Sequence, residues 1–251
     1  MKPRRFFVED EPLGPGERLI KGNTARHLSR VLRLSVGERV LLFDGSGCEF
    51  PAEVSEIARH SVRVRVGEGT FVDRESPLKI WLGLGLCQPA TMDMVIQKTT
   101  ELGVTEIVPL KTDRAQRWFA GERGASRLRR WERIAREAAR QSGRSLVPQI
   151  SPWIDFRQVL RQRETNGLKL IFWEGEERGS LKQTLAGQER TNQVQVLVGP
   201  EGGFSADEIE QATAAGFQSI SLGRRVLRTE TASIVVIGLL QHHLGDLGGL
   251  P

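Results

Sequence analysis

Hydrophobic and polar residues follow two different rhythms along this chain, and the rhythm changes between residues 72 and 78. In the first part the period is two. Val62, Val64 and Val66 fall on one side of a short segment, with Arg63 and Arg65 on the other. That predicts a half-buried strand over residues 61–66 that shows its cations to solvent. Val40, Leu41, Leu42 and Phe43 form an apolar run stopped by the turn dipeptide Asp44-Gly45. A short helix is predicted over residues 24–34. The segment Val72-Asp73-Arg74-Glu75-Ser76-Pro77 is polar and closes on proline. It reads as a joint between two domains, residues 1–72 and 78–251.

Beyond the joint, short apolar runs alternate with longer amphipathic stretches. Strands are predicted at 79–86, 106–110, 146–150, 168–173, 193–198 and 217–222. Helices are predicted at 91–102, 126–141, 181–186 and 205–215, with a last one from 232 to 244. Repeated strand–helix units argue an α/β domain whose parallel sheet is covered on both faces. Pattern alone points to an open, unknotted sheet. In the last helix Ile234, Val235, Val236, Ile237, Leu239 and Leu240 make it apolar almost all round. Such a helix must be covered on more than one side, either within its own subunit or by the partner in a homodimer, which is the expectation here.

Two segments have the form strand, turn, helix. The first is Leu197-Val198-Gly199-Pro200-Glu201-Gly202-Gly203-Phe204, and the second runs from Leu222 through Gly223-Arg224-Arg225-Val226-Leu227-Arg228-Thr229-Glu230-Thr231 to Ala232. Both place bare backbone N–H groups and small residues at helix N-termini, where nucleoside and carboxylate ligands are held. Neither is a Walker loop or a G-x-G-x-x-G fingerprint. In the first, Ser205 and Glu208 have capping-box spacing, and Phe204 and Ile209 sit at hydrophobic-staple positions. Capping does not account for Glu201. In the second, Thr229 or Thr231 is expected to cap the last helix, and Glu230 suits its dipole. Arg224, Arg225 and Arg228 then crowd the positive end of that dipole, a misfit that points to an arriving anion or nucleic acid.

Residues 114–144 hold ten arginines and three glutamates. Leu128, Trp131, Ala135 and Ala138 fall at helical spacing and would face the core. Arg129, Arg133, Arg136 and Arg140 share another face, with Glu132 one turn from Arg136. A stripe of arginine almost without lysine favours phosphate contact and base stacking, so RNA is the expected partner.

These motifs carry a resemblance. G-P-E-G-G-F followed by L-G-x-R-V-L-R-T-E-T-A resembles the C-terminal signature of the SPOUT-class RNA methyltransferases. More narrowly, it is similar to the RsmE family, which methylates N3 of a uridine in bacterial 16S ribosomal RNA. Lys98-Thr99-Thr100-Glu101-Leu102-Gly103-Val104 resembles the family's K-x-x-E-L-G-V segment, and residues 137–144 its E-A-x-x-Q-S-x-R segment. Arg4-Arg5-Phe6-Phe7 and His27-x-x-x-Val31-Leu32-Arg33 also fit. The resemblance spans nearly the whole chain in order. It implies a SPOUT-type parallel sheet with a C-terminal trefoil knot, which gathers loops near Trp173, Gly199 and Leu222. It also implies a small N-terminal PUA-like β-barrel, a common RNA-binding module.

The cofactor implied is S-adenosylmethionine. Its expected contacts are Trp173, Leu197, Val198, Gly199, Glu201, Gly202, Gly203, Leu222, Gly223, Val226, Leu227, Thr229, Thr231 and Ala232. RNA is expected on Arg4, Arg5, Arg33, Arg129, Arg133, Arg136, Arg140, Gln141 and Arg144, either as naked 16S ribosomal RNA or within the assembled small subunit. Uridine N3 carries an imide proton that must leave before or during methyl transfer. A carboxylate can take it, and an arginine can stabilise the uracil oxyanion. Glu137, Glu230, Arg228 and Arg225 are unranked candidates for these roles, and a mechanism relying mainly on positioning stays open. Two other readings share the fold: a non-catalytic RNA-binding, ribosome-associated module, and an enzyme methylating ribose 2′-oxygen or guanosine.

Composition adds little. A net charge of +5 permits a polyanionic partner without demanding one. Cys48 and Cys87 are far apart, without His or Cys neighbours at metal spacing, and read as plain thiols in a reducing compartment. No metal is expected. The N-terminus lacks a signal peptide's apolar core, and no run reaches membrane-spanning length, so a cytoplasmic protein is expected.

Overall fold

The computed structural model describes residues 3–9, 12–21, 25, 34–115, 122–162, 167–177, 179–186, 188 and 191–249. The helix expected at 24–34 falls largely outside the described residues, as do His27 and Arg33. Contacts divide the chain into two units. The first is Met1–Glu75 with Ala139–Val147, and the second is Ser76–Ala138 with Pro148–Pro251.

The first unit is built on β1 (Arg4–Phe7), β2 (Gly16–Lys21), β3 (Arg39–Phe43), β4 (Cys48–Ile57), β5 (Ser61–Val66) and β6 (Thr70–Phe71). Among the described residues the strands pair in the order β1-β3-β4-β5-β2, with β6 on β4. The period-two pattern of β5 is realised: Val62, Val64 and Val66 join Phe6, Leu42 and Val54 in one core. Arg63 and Arg65 face outward opposite Glu56 and Glu53 of β4.

Residues 139–147 belong to this unit because buried charge holds them there. The Arg5 guanidinium donates to Glu49 at 2.6 Å and to the carbonyls of Arg140 and Arg144 at 3.1 and 3.0 Å. Arg74 reaches the same Glu49 oxygen at 2.9 Å. Arg144, only 5% exposed, pairs with Glu75 at 2.8 Å. The other Glu75 oxygen accepts the backbone N–H groups of Ser145 and Leu146, each at 3.0 Å. A strand over 146–150 was expected. Only Gln149–Ile150 forms one, because the N–H groups at 145 and 146 are already committed to that carboxylate.

The second unit comprises β7 (Lys79–Gly85), α1 (Pro89–Glu101), β8 (Glu106–Lys111), α2 (Glu122–Ser142, whose last turn belongs to the first unit), β9 (Gln149–Ile150), β10 (Ile154–Asp155) and α3 (Phe156–Gln162). It continues with β11 (Leu168–Phe172), α4 (Leu181–Leu185), β12 (Gln193–Val198), α5 (Ala206–Ala214), β13 (Gln218–Ile220) and α6 (Thr229–Leu244). The strand order is β10-β8-β7-β12-β11-β13, with β9 also on β8. Every pairing in this sheet is parallel. Its central strands are buried on both faces, as continuous apolar runs require. Trp81, Val108, Leu110, Ile171 and Leu197 pack with Phe156 and Val159 of α3 and Ile209 and Ala212 of α5. Elsewhere α1 packs on α6, which touches β12.

The start of α6 corrects an expectation. Its N-cap is Arg228, with no side-chain capping bond, so neither Thr229 nor Thr231 caps it. Thr229 is instead the first helical residue. It is 6% exposed, and its carbonyl accepts the Ser233 hydroxyl at 2.8 Å. Glu230 does lie in the first turn, where its charge suits the dipole.

Candidate active site

Three parallel neighbours, β12, β11 and β13, end at one crevice, the place where open α/β sheets take ligands. The segments leaving them line one open cleft. Phe172, Trp173 and Glu174 come from the end of β11. Val198, Gly199, Pro200 and Gly203 come from the end of β12. Ile220 to Leu227, with Thr229 and Ala232, come from the end of β13 and the start of α6. The expected gathering of the segments near Trp173, Gly199 and Leu222 is thus present.

Glycine permits this close approach. A β-carbon on Gly85, at the end of β7, would collide with the ring of Pro200. Gly203 has φ +68°, and its N–H closes a turn onto the Pro200 carbonyl at 2.8 Å. A β-carbon at Gly203 would stand 2.5 Å from Oε1 of Glu174.

The Gly199–Gly203 turn is held from outside the cleft. Ser205 and Glu208 form the predicted capping box, with Glu208 accepting the Ser205 N–H at 2.9 Å and Ser205 Oγ accepting the Glu208 N–H at 3.2 Å. Phe204 and Ile209 are both buried, as a staple requires. The other Glu208 oxygen accepts the Asp113 N–H at 2.9 Å. The Asp113 carboxylate accepts the Ser205 hydroxyl at 2.8 Å and Arg157 at 3.1 Å. Those hydrogen bonds, first that from Arg157 and then that from Ser205, hold its pKa below the ordinary carboxylate value. Arg114 donates to the Gly202 carbonyl at 2.9 Å. The residues after β8 therefore grip both the turn and the helix that follows it.

Glu201 is not among the lining residues and accepts the backbone N–H of Gln88, the N-cap of α1, at 2.8 Å. Cys87 is buried beneath this turn, its thiol donating to the Gly85 carbonyl at 2.8 Å. Burial, reinforced by the negative charge of Glu201, pushes that thiol well above its usual pKa, so it is inert at neutral pH.

The expected site residues divide accordingly. Trp173, Val198, Gly199, Gly203, Leu222, Gly223, Val226, Leu227, Thr229 and Ala232 line the cleft. Leu197 is fully buried in the core behind it. Glu201, Gly202 and Thr231 lie outside the lining. Of the catalytic candidates Arg225 lines the cleft, whereas Arg228, Glu230 and Glu137 do not. Glu174 lines it without having been expected. Its sequence signal was slight, a charged residue just past a strand.

On α2, Arg129 and Arg133 are exposed and Arg136 is half-buried, 3.7 Å from Glu132 as its spacing suggested. Glu137 and Gln141 are exposed, and Arg140 is half-buried. Arg5 and Arg144 are not presented to a partner, because they are committed to the carboxylates of buried Glu49 and half-buried Glu75. Arg4 is half-exposed beside Glu38.

Fold and cleft together define a class. Residues 74–241 match the family model of the RNA methyltransferase domain, and residues 20–67 match that of the RNA methyltransferase PUA domain. The class is thus an RNA methyltransferase with an N-terminal PUA-like domain. More particularly, the chain belongs to the ribosomal RNA small subunit methyltransferase E family. It is 31% identical to the family member of Buchnera aphidicola over 96% of this chain and 94% of that one. A methyltransferase of Legionella pneumophila, solved in complex with the cofactor SAM, is 34% identical over 98% of this chain and 100% of that chain, with a TM-score of 0.92. The family member of Neisseria gonorrhoeae, solved bound to S-adenosyl methionine, is 34% identical over 98% and 99% of the two chains, with a TM-score of 0.88. No described helix is long and apolar enough to cross a membrane.

Proposed function

We propose that this enzyme transfers the methyl group of S-adenosylmethionine to N3 of a uridine in bacterial 16S ribosomal RNA. The observation that carries the reading is the cleft at the ends of β11, β12 and β13. In its wall Gly203 carries no side chain, and the Glu174 carboxylate lies where a β-carbon would stand. Apolar lining from Val198, Ile220, Leu222, Val226 and Leu227 fits an adenine, with the backbone at Leu222–Leu227 offering the polar groups that read its edge. The two solved relatives carry this cofactor in chains that match this one end to end. When bound, the cofactor supplies an activated methyl group on sulfur.

The chain's own residues orient the uracil and manage one proton. Arg225 reaches the cleft and suits the role of stabilising the uracil oxyanion that forms as N3 loses its proton. Glu230, Arg228 and Glu137 remain the other candidates, with a carboxylate taking the imide proton directly or through water. RNA lies along the exposed arginines of α2, chiefly Arg129 and Arg133. A trefoil knot of the C-terminal segments, a cytoplasmic location and a homodimer complete the reading. The dimer is supported by Val235 and Leu239, apolar residues of α6 that are 36% and 43% exposed.

The test is nucleoside mass spectrometry of 16S ribosomal RNA from a strain lacking the gene. Loss of N3-methyluridine, restored by the wild-type chain, is expected. A missing methyl found instead on ribose or on a purine overturns the proposal.

A further inference from the structure

β11 and β12 stay in register to their ends, where Phe172 lies beside Val198. Residues just past those ends share one crevice. On the β12 side stand Gly199 to Gly203, and on the β11 side Trp173 and Glu174. Glu174 contributes the one carboxylate among the described residues that line the cleft. A β-carbon on Gly203 would lie 2.5 and 3.1 Å from its two oxygens. The carboxylate is therefore laid against the bare face of that glycine, with both oxygens at the cleft wall. Among the described residues no hydrogen bond or ion pair engages it.

A carboxylate offers two acceptor oxygens and no donor. The matching ligand feature is a vicinal diol, which offers two O–H donors side by side. Nucleotide sites of parallel α/β sheets use this pairing: an acid at a strand end, beside a glycine turn, accepts from ribose hydroxyls. The other charged lining groups, Arg224 and Arg225, are cations and cannot accept. Ser221 lines the cleft too, but its hydroxyl is engaged with the backbone of Gly223, at 3.2 Å from the nitrogen. Attraction between Glu174 and a ligand cation is the competing role. The side chain is exposed, so charge attraction alone is heavily screened, whereas a pair of hydrogen bonds to a charged acceptor adds directional strength.

We propose that Glu174 accepts hydrogen bonds from the ribose hydroxyls of the nucleoside cofactor and so fixes it beside Gly203. This rests on the reading of the cleft as the S-adenosylmethionine site. Glu174 becomes a binding residue of that site, with no part in the proton transfer.

The experiment is calorimetry on the full chain, wild type, Glu174→Ala and Glu174→Gln. The ligands are S-adenosylmethionine, S-adenosylhomocysteine and the 2′,3′-dideoxy analogue of the latter. Both variants should melt with the wild type, since Glu174 is exposed. Glu174→Ala should weaken the first two ligands equally, by about tenfold or more, as expected for hydrogen bonds to a charged acceptor. The dideoxy analogue should bind wild type and both variants alike. In turnover, KM for the cofactor should rise with kcat unchanged at saturation. Weakened S-adenosylmethionine with unchanged S-adenosylhomocysteine would mean a counter-ion to sulfonium and would overturn the diol assignment. Unchanged affinity for both would remove Glu174 from the site. Wild-type protein that binds none of the three would sink the cleft assignment itself.

Discussion

Oε1 of Glu201 accepts the backbone N–H of Gln88 at 2.8 Å, across 113 residues of sequence. Gln88 is the N-cap of α1 but makes no side-chain capping bond, Pro89 follows it, and the first turn holds no acid. Glu201 thus supplies, from another loop, both the missing acceptor and the missing negative charge at that helix end. The same bond pins the Gly199–Gly203 turn to the end of β7. The residue between Pro200 and two glycines is explained by a helix that its own sequence neighbourhood does not contain.

Replacing Glu201 by alanine should lower global stability by about 1 kcal/mol, the usual worth of a cap. Urea denaturation gives that number. Because the turn also forms a cleft wall, cofactor affinity should fall in parallel, as titration calorimetry would register. Glu201→Gln, which keeps an acceptor, should recover most of the stability. Unchanged melting in Glu201→Ala would mean that water caps α1 as well.

Gly203→Val should abolish cofactor binding while the first unit keeps its fold. The substitution forces a β-branched residue into φ +68° and drives a side chain into the Glu174 carboxylate. Calorimetry would report the drop in affinity, and amide exchange in β3, β4 and β5 would report the intact unit. A folded Gly203→Val protein with wild-type affinity would remove the cleft assignment.

Asp113 gives a pH signature. Its folded-state pKa lies below the ordinary value of 3.8, through Arg157 and Ser205. Its contribution is therefore complete above that ordinary value and is lost as pH falls through the lower, folded one. The carboxylate is exposed, so the contribution is at most about 1 kcal/mol. Asp113→Asn should be less stable than wild type at pH 7 and equally stable near pH 2–3. A gap in urea midpoints that persists in acid would assign the effect to packing instead.

The α2 arginines should govern RNA affinity without touching the cofactor. Arg129→Gln with Arg133→Gln should weaken binding to a 16S ribosomal RNA fragment. The slope of log affinity against log salt should fall by about 0.7–0.9 for each phosphate that the variant no longer neutralises. Cofactor affinity should stay constant. A slope identical to wild type would move the RNA to another face.

What the sequence revealed depended on the range of each interaction. The valine alternation of β5, the bounds of β12 at Gln193–Val198 and the capping box at Ser205 were all legible, because each is decided within a few residues. β10 and α3 were missed: two and seven residues long, they are too short to establish a period. The start of α6 was misread because Thr229, a good cap by type, is buried as the first helical residue. Arg5 and Arg144 resembled RNA ligands by type and motif. Their partners Glu49 and Glu75 lie 44 and 69 residues away, and no local pattern announces a buried ion pair at that distance. Glu174 was invisible for the same reason, since its meaning comes from Gly203 on the neighbouring strand's loop.

The carbonyls of Arg140 and Arg144 that receive Arg5 carry a practical consequence. No single cut in the chain releases a complete N-terminal unit. A fragment ending at residue 75 would keep the Arg5–Glu49 pair but lose the two carbonyls that Arg5 also donates to, and would leave Glu75 without Arg144 and the N–H groups of Ser145 and Leu146. Removing one partner of an ion pair held away from water is strongly destabilising. Transplanting this RNA-binding module onto another enzyme therefore means carrying residues 139–147 with it, as an insertion or a circular permutation.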